Sequence, residues 1–86
     1  MPEISRFFGI RITMNYDERL PPHFHAHYAE HEAQIVISTT QILEGSLPPR
    51  AFAMVREWTE LHREELSENW RRREQNLPLN RIKPLT

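Results

Sequence analysis

Cysteine is absent from this chain, and disulfides, thiolate nucleophiles, iron–sulfur clusters and cysteine-type zinc sites are excluded with it. Long apolar runs are missing too. Nothing approaches the roughly 18 to 20 residues that span a bilayer, so no membrane role is expected. Charge of one sign is also lacking: the net charge of −1 speaks against a protein that coats nucleic acid, while leaving local basic patches open. Residues Met1 to Arg6 carry no charged-then-apolar signal pattern, and cytoplasmic residence is the expectation. With 86 residues, the chain has the length of one small domain, which buries only a modest share of its unfolded surface. Such domains commonly gain stability from a metal, a disulfide or a second subunit. Here the choice narrows to a His/carboxylate metal site or oligomerisation.

What the chain does have is a row of histidines. Three of its five lie at alternate positions in Pro21-Pro22-His23-Phe24-His25-Ala26-His27-Tyr28. On a strand, alternate side chains share a face, so the three imidazoles line one side over about 14 Å. Phe24, Ala26 and Tyr28 share the other. Imidazole titrates near neutrality and is the commonest metal ligand, so the row invites a chemical reading.

The remaining pattern predicts an α+β domain with a three- or four-stranded antiparallel sheet and one long C-terminal helix. Strands are expected over about 3–14, 23–29 and 33–38, with a short fourth over 41–44, from the alternation of apolar residues. Gly45-Ser46 breaks that pattern, Ser46 can cap a helix, and Pro48-Pro49 suits a first turn. No glycine or proline interrupts residues 50–74, so the helix is expected over about 48–74, followed by an irregular tail over 75–86. That helix would be roughly 40 Å long, against a domain diameter near 30 Å. Its far end is therefore expected to break or to pack on something else, most simply a second copy of the chain. Ala51, Met54, Val55, Trp58, Leu61 and Leu66 form the stripe that would cover the sheet.

Burying Phe24, Ala26 and Tyr28 leaves the histidines on the outer face, beside Phe7, Gly9, Arg11, Thr13, Gln34 and Val36. Three readings of that face stay open. The histidines can be half-exposed and bonded to backbone and water. His23 and His25 can ligate zinc or another divalent metal, completed by Glu30, His31 or a second chain, because all three imidazoles of a flat strand stand too far apart. Alternatively His23 and His25 can act as a general acid–base pair on RNA, with Arg11 stabilising the developing charge. On the helix, His62 lies in the apolar stripe with Glu65 and Asn69 near it. Together with Trp70 these residues are expected to form a polar-centred interface.

Met1 to Ile10, Pro21 to Ala26, Leu43 to Ala51, Trp58, Leu61-His62, Glu65-Leu66 and Asn69-Trp70 together resemble a bacterial and archaeal family of short proteins, domain of unknown function 4160. The resemblance implies no established activity. Genes of the family often adjoin those of another small family, which implies a protein-interaction or regulatory role in a two-protein unit, such as a toxin–antitoxin pair. The chain departs from the pattern at Ser38-Thr39-Thr40-Gln41, where glycine is common, and at His27, where arginine and other residues are common. That departure favours His23 and His25 over His27 as working residues.

Overall fold

A computed structural model describes residues 2–86 of the chain. Its sheet starts with a hairpin. Strand β1 (Glu3–Phe7) pairs antiparallel with β2 (Ile10–Thr13), and Phe8-Gly9 forms the two-residue turn between them. Both turn residues have positive φ, 50° and 80°, which gives the backbone twist such a tight hairpin needs. The single strand expected over 3–14 is thus two strands. Strand β3 (His23–Tyr28) pairs with β2 and with β4 (His31–Val36), and β5 (Ile42–Gly45) closes the order β1-β2-β3-β4-β5. The architecture is α+β, with five antiparallel strands and two helices rather than the smaller sheet and single helix expected.

Register decides which side chains reach the core. Directly paired residues share a face, so the pairs Ile12–Ala26, Ala26–Ala33 and Phe24–Ile35 place one continuous apolar set under the helices. Phe7 pairs with Ile10 and joins this set; it packs against Trp58 with ring centroids 5.4 Å apart. Its predicted place beside the histidines is therefore wrong. A bulge between Glu3 and Ser5 returns Ile4 to the core as well. At the far edge, Gly45 has φ 82°, and a Cβ there would lie 2.1 Å from the Glu32 carbonyl oxygen. Only glycine fits that approach.

The helix breaks in two. Helix α1 (Pro49–Leu61) and α2 (Arg63–Glu74) meet at His62, whose φ of −125° is not helical. No glycine or proline causes this. The Thr59 hydroxyl donates back to the Val55 carbonyl oxygen, a bond that bends helices, and Arg63 anchors the new start by donating to the Ile37 carbonyl oxygen at 2.9 Å. Leu61, expected in the core stripe, is consequently 66 % exposed. Neither helix exceeds about 20 Å at 1.5 Å per residue, so no end overshoots the domain.

Residues 77–86 lie against the body. Ile82 donates its N–H to the Ile4 carbonyl oxygen, the Trp58 indole donates to the Lys83 carbonyl oxygen, and Asn69 brackets Asn80 with two hydrogen bonds. Buried Asn69 is thereby satisfied within its own chain. Trp70 is buried too, between the His23 ring at 5.5 Å and the Arg73 guanidinium at 3.6 Å. The predicted interface of His62, Glu65, Asn69 and Trp70 is split. Asn69 and Trp70 are internal, whereas His62 sits at the helix break and takes the Glu65 carboxylate on Nδ1 at 2.6 Å.

Candidate functional site

The histidine face of the sheet carries His23, His25 and His27, opposite Val36, Gln34 and Glu32 on β4. On the other side, β2 sets Thr13 against His25 and Arg11 against His27. Gln34, Val36 and Arg11 therefore share the face expected of them. Arg11 stands level with His27, two same-face steps from His23, and about 7 Å is gained per step. It does not complete a His23–His25 pair.

The pair itself is not on open surface. His23 and His25 are 3 % and 5 % exposed. Residues 14–22, which include a cis Leu20–Pro21 peptide, fold over them and deliver Glu18. One Glu18 oxygen lies 2.5 Å from His25 Nε2, and the other lies 3.4 Å from His23 Nε2. Glu30 and His31, the partners considered from the sequence, instead face each other at 3.8 Å at the β3–β4 turn. Glu18 gave no periodic signal, because loop residues have no face to predict. Its only hint was a carboxylate in a proline-closed loop just before the first histidine.

Each imidazole is oriented by its second nitrogen. His23 Nδ1 lies 2.8 Å from the Pro21 carbonyl oxygen, which can only accept, so Nδ1 carries a proton. Among the described residues its buried Nε2 has no hydrogen-bond partner. His25 Nδ1 meets the Glu32 carboxylate at 2.8 Å. That carboxylate also lies 3.5 Å from His27 Nδ1, while His27 Nε2 pairs with the Thr13 hydroxyl at 3.0 Å. Sequence reading missed Glu32 and Trp70 as neighbours of the pair, since cross-strand and helix contacts depend on register and on the helix break.

Electrostatics follow from this packing. Burial pushes the Glu18 carboxyl up, but hydrogen bonds from His25 and Asn15 and the charges of both histidines outweigh it and hold Glu18 below its usual range. Burial holds the His27 imidazole below its ordinary value, and Arg11 and His25 add to that against the pull of Glu32. Glu18, His23 and His25 each offer one donor atom, and the three atoms lie within 4.8 Å of one another. Chemically, the cluster can hold a cation between two imidazoles and a carboxylate. Its closure makes access by a polymeric substrate difficult.

A second feature lies at the other end of β3. Phe8, Tyr28, Pro48, Arg50, Ala51 and Met54 line an open, mostly apolar groove of about 460 Å³. Phe8 is 60 % exposed there, in the left-handed conformation of the hairpin turn.

Comparison with protein families finds a match to the model described as Domain of unknown function (DUF4160) over residues 9–71. The chain belongs to this family. In this DUF4160 member the match spans β2 through most of α2, so it includes Glu18, the three histidines of β3, Glu32 and Trp70. Residues 1–8, which carry part of the resemblance noted above, fall outside it. Comparison with curated proteins and with solved structures finds no match. No helix of the described residues is long and apolar enough to cross a membrane.

Proposed function

We propose that the chain is a protein-interaction module, acting as one component of a two-protein regulatory unit of the toxin–antitoxin kind. The observation that carries this reading is Phe8. A bulky side chain at positive φ is a backbone outlier, costing on the order of 1–2 kcal/mol, at a turn position where asparagine or glycine fits without strain. Strain of that kind persists where a position has a use beyond folding. Here it displays an aromatic ring beside an apolar groove with one cationic neighbour, Arg50. Exposed aromatic anchors next to apolar pockets are what binding hot spots are made of. The groove suits an apolar side chain of a partner with an acidic group close by.

The sealed His23–His25 pair weighs against the alternative, a histidine-dependent ribonuclease. Their rings are almost fully covered, carboxylates contact His25 on both nitrogens, and Arg11 is out of line.

Co-expression with the product of the neighbouring gene, followed by size-exclusion chromatography with light scattering, tests the proposal. The expected result is a stable complex for the wild type and none for Phe8→Asn, a variant whose turn is relaxed and whose fold is intact. Absence of a wild-type complex, or one indifferent to Phe8→Asn, would overturn it. So would RNA hydrolysis by the wild type that His25→Ala abolishes.

A further inference from the structure

We infer that Glu18, His23 and His25 form a binding site for one divalent transition-metal ion of the zinc class, and that this ion staples residues 14–22 to the sheet. Three independent features meet at this place. The donor atoms converge from a loop and a strand to within 4.8 Å of one another. A tetrahedral ion with bonds of about 2.1 Å sets its donors about 3.4 Å apart. The separation of His23 Nε2 from the nearer Glu18 oxygen is 3.4 Å.

The second feature is the unpartnered Nε2 of His23. With Nδ1 donating to Pro21, the ring turns Nε2 toward a Glu18 oxygen 3.4 Å away, and that buried nitrogen has no hydrogen-bond partner among the described residues. A ring nitrogen and a carboxylate oxygen that face one another in a covered site without a hydrogen bond are placed for a cation to bridge them. Third, the surrounding groups orient the donors as metal sites do. Metal-ligating histidines typically donate their other ring N–H to a carboxylate or a backbone carbonyl. His25 has Glu32 for this and His23 has Pro21. Asn15 steadies Glu18, donating to Oε1 at 2.8 Å.

Donor chemistry selects the class of ion. Two imidazoles and one carboxylate suit zinc and its late first-row neighbours, whereas calcium and magnesium take oxygen donors. The role is structural. A small chain without cysteine gains a cross-link between a loop and a strand, which is the kind of staple domains of this length use. The loop in turn accepts Arg73 on the Tyr16 carbonyl oxygen, so the staple also secures the end of α2.

The test uses full-length protein purified without a histidine tag and stripped with chelator. Zn²⁺ is titrated by calorimetry, and Co²⁺ is added separately to read coordination geometry from its visible absorption. Wild type is expected to bind one ion per chain, to give the intense bands of four-coordinate Co²⁺, and to melt higher with Zn²⁺ but not with Mg²⁺. Glu32→Gln is expected to weaken affinity about 10- to 100-fold by freeing His25. Glu18→Gln and His23→Gln are expected to abolish site binding, and His27→Gln to leave it essentially intact. Because His23 is buried, a His23→Gln variant that fails to fold leaves the decision to Glu18→Gln, whose side chain is partly exposed. No binding by the wild type, or binding unaltered by Glu18→Gln, would overturn the inference.

Discussion

Replacing Trp70 by alanine separates two accounts of the C-terminal helix. If Trp70 served an interface with another molecule, its loss would leave the free monomer's stability unchanged. The structure instead buries it at 4 % exposure, between the His23 ring and the Arg73 guanidinium. Truncating a buried tryptophan costs about 3–5 kcal/mol in lost burial and residual cavity. A domain of this length has on the order of 4–13 kcal/mol in total, so the substitution removes a large share. At about 4 °C or more per kcal/mol, the melting temperature should fall by at least about 12 °C. The damage should also be directional. Trp70 positions Arg73, whose Nη1 donates to the Tyr16 carbonyl oxygen at 2.6 Å, so amides of residues 15–22 should exchange faster. Thermal unfolding by circular dichroism and hydrogen exchange read both effects. Trp70→Phe, which keeps an aromatic face against His23, should fall less far in both. A melting temperature unchanged in Trp70→Ala, or unaltered exchange in the loop, would refute the reasoning.

Other perturbations test separate parts of the fold. Phe8→Asn should raise the melting temperature by about 4–8 °C, from relief of about 1 kcal/mol at a positive-φ turn position; calorimetry showing a decrease would contradict the strain at Phe8. Gly45→Ala should lose more than about 1 kcal/mol, because φ is 82° and the new Cβ meets the Glu32 carbonyl oxygen; an unchanged urea midpoint would contradict this. Glu3 is held down to about 2, from an ordinary 4.5, by hydrogen bonds from Arg6 and Arg81. A depressed carboxyl stabilises the fold above its unfolded value and loses that contribution as pH falls through its folded value. The melting-temperature gap between wild type and Glu3→Gln should thus be constant above about pH 5 and shrink from there toward pH 2. A gap that widened on acidification would contradict the Glu3–Arg6–Arg81 link.

The histidine strand was legible because strict alternation survives any context: Phe24 and Ala26 point to the core and the histidines to the other face. The first hairpin was hidden by cancellation. The Phe8-Gly9 turn shifts parity once and the bulge near Glu3 shifts it again, so Ile4, Ile10 and Ile12 still read as one alternating strand. Phe7 lies between those shifts, so simple alternation places it on the wrong face. The helix break was invisible for another reason. It depends on the tertiary anchor of Arg63 to Ile37, with no breaker residue to announce it. Burial of the histidine pair was equally out of reach. Its cover comes from Glu18 in a loop and Trp70 in α2, which no local pattern ties to β3.

Diffraction data collected on either side of the zinc absorption edge, from crystals of the tag-free protein grown with Zn²⁺, would show whether an ion joins the loop to the histidine strand. One anomalous peak is expected about 2.1 Å from the Glu18 carboxylate and from Nε2 of His23 and His25. A site without anomalous signal, with Glu18 still hydrogen-bonded to His25 as it is here, would contradict it.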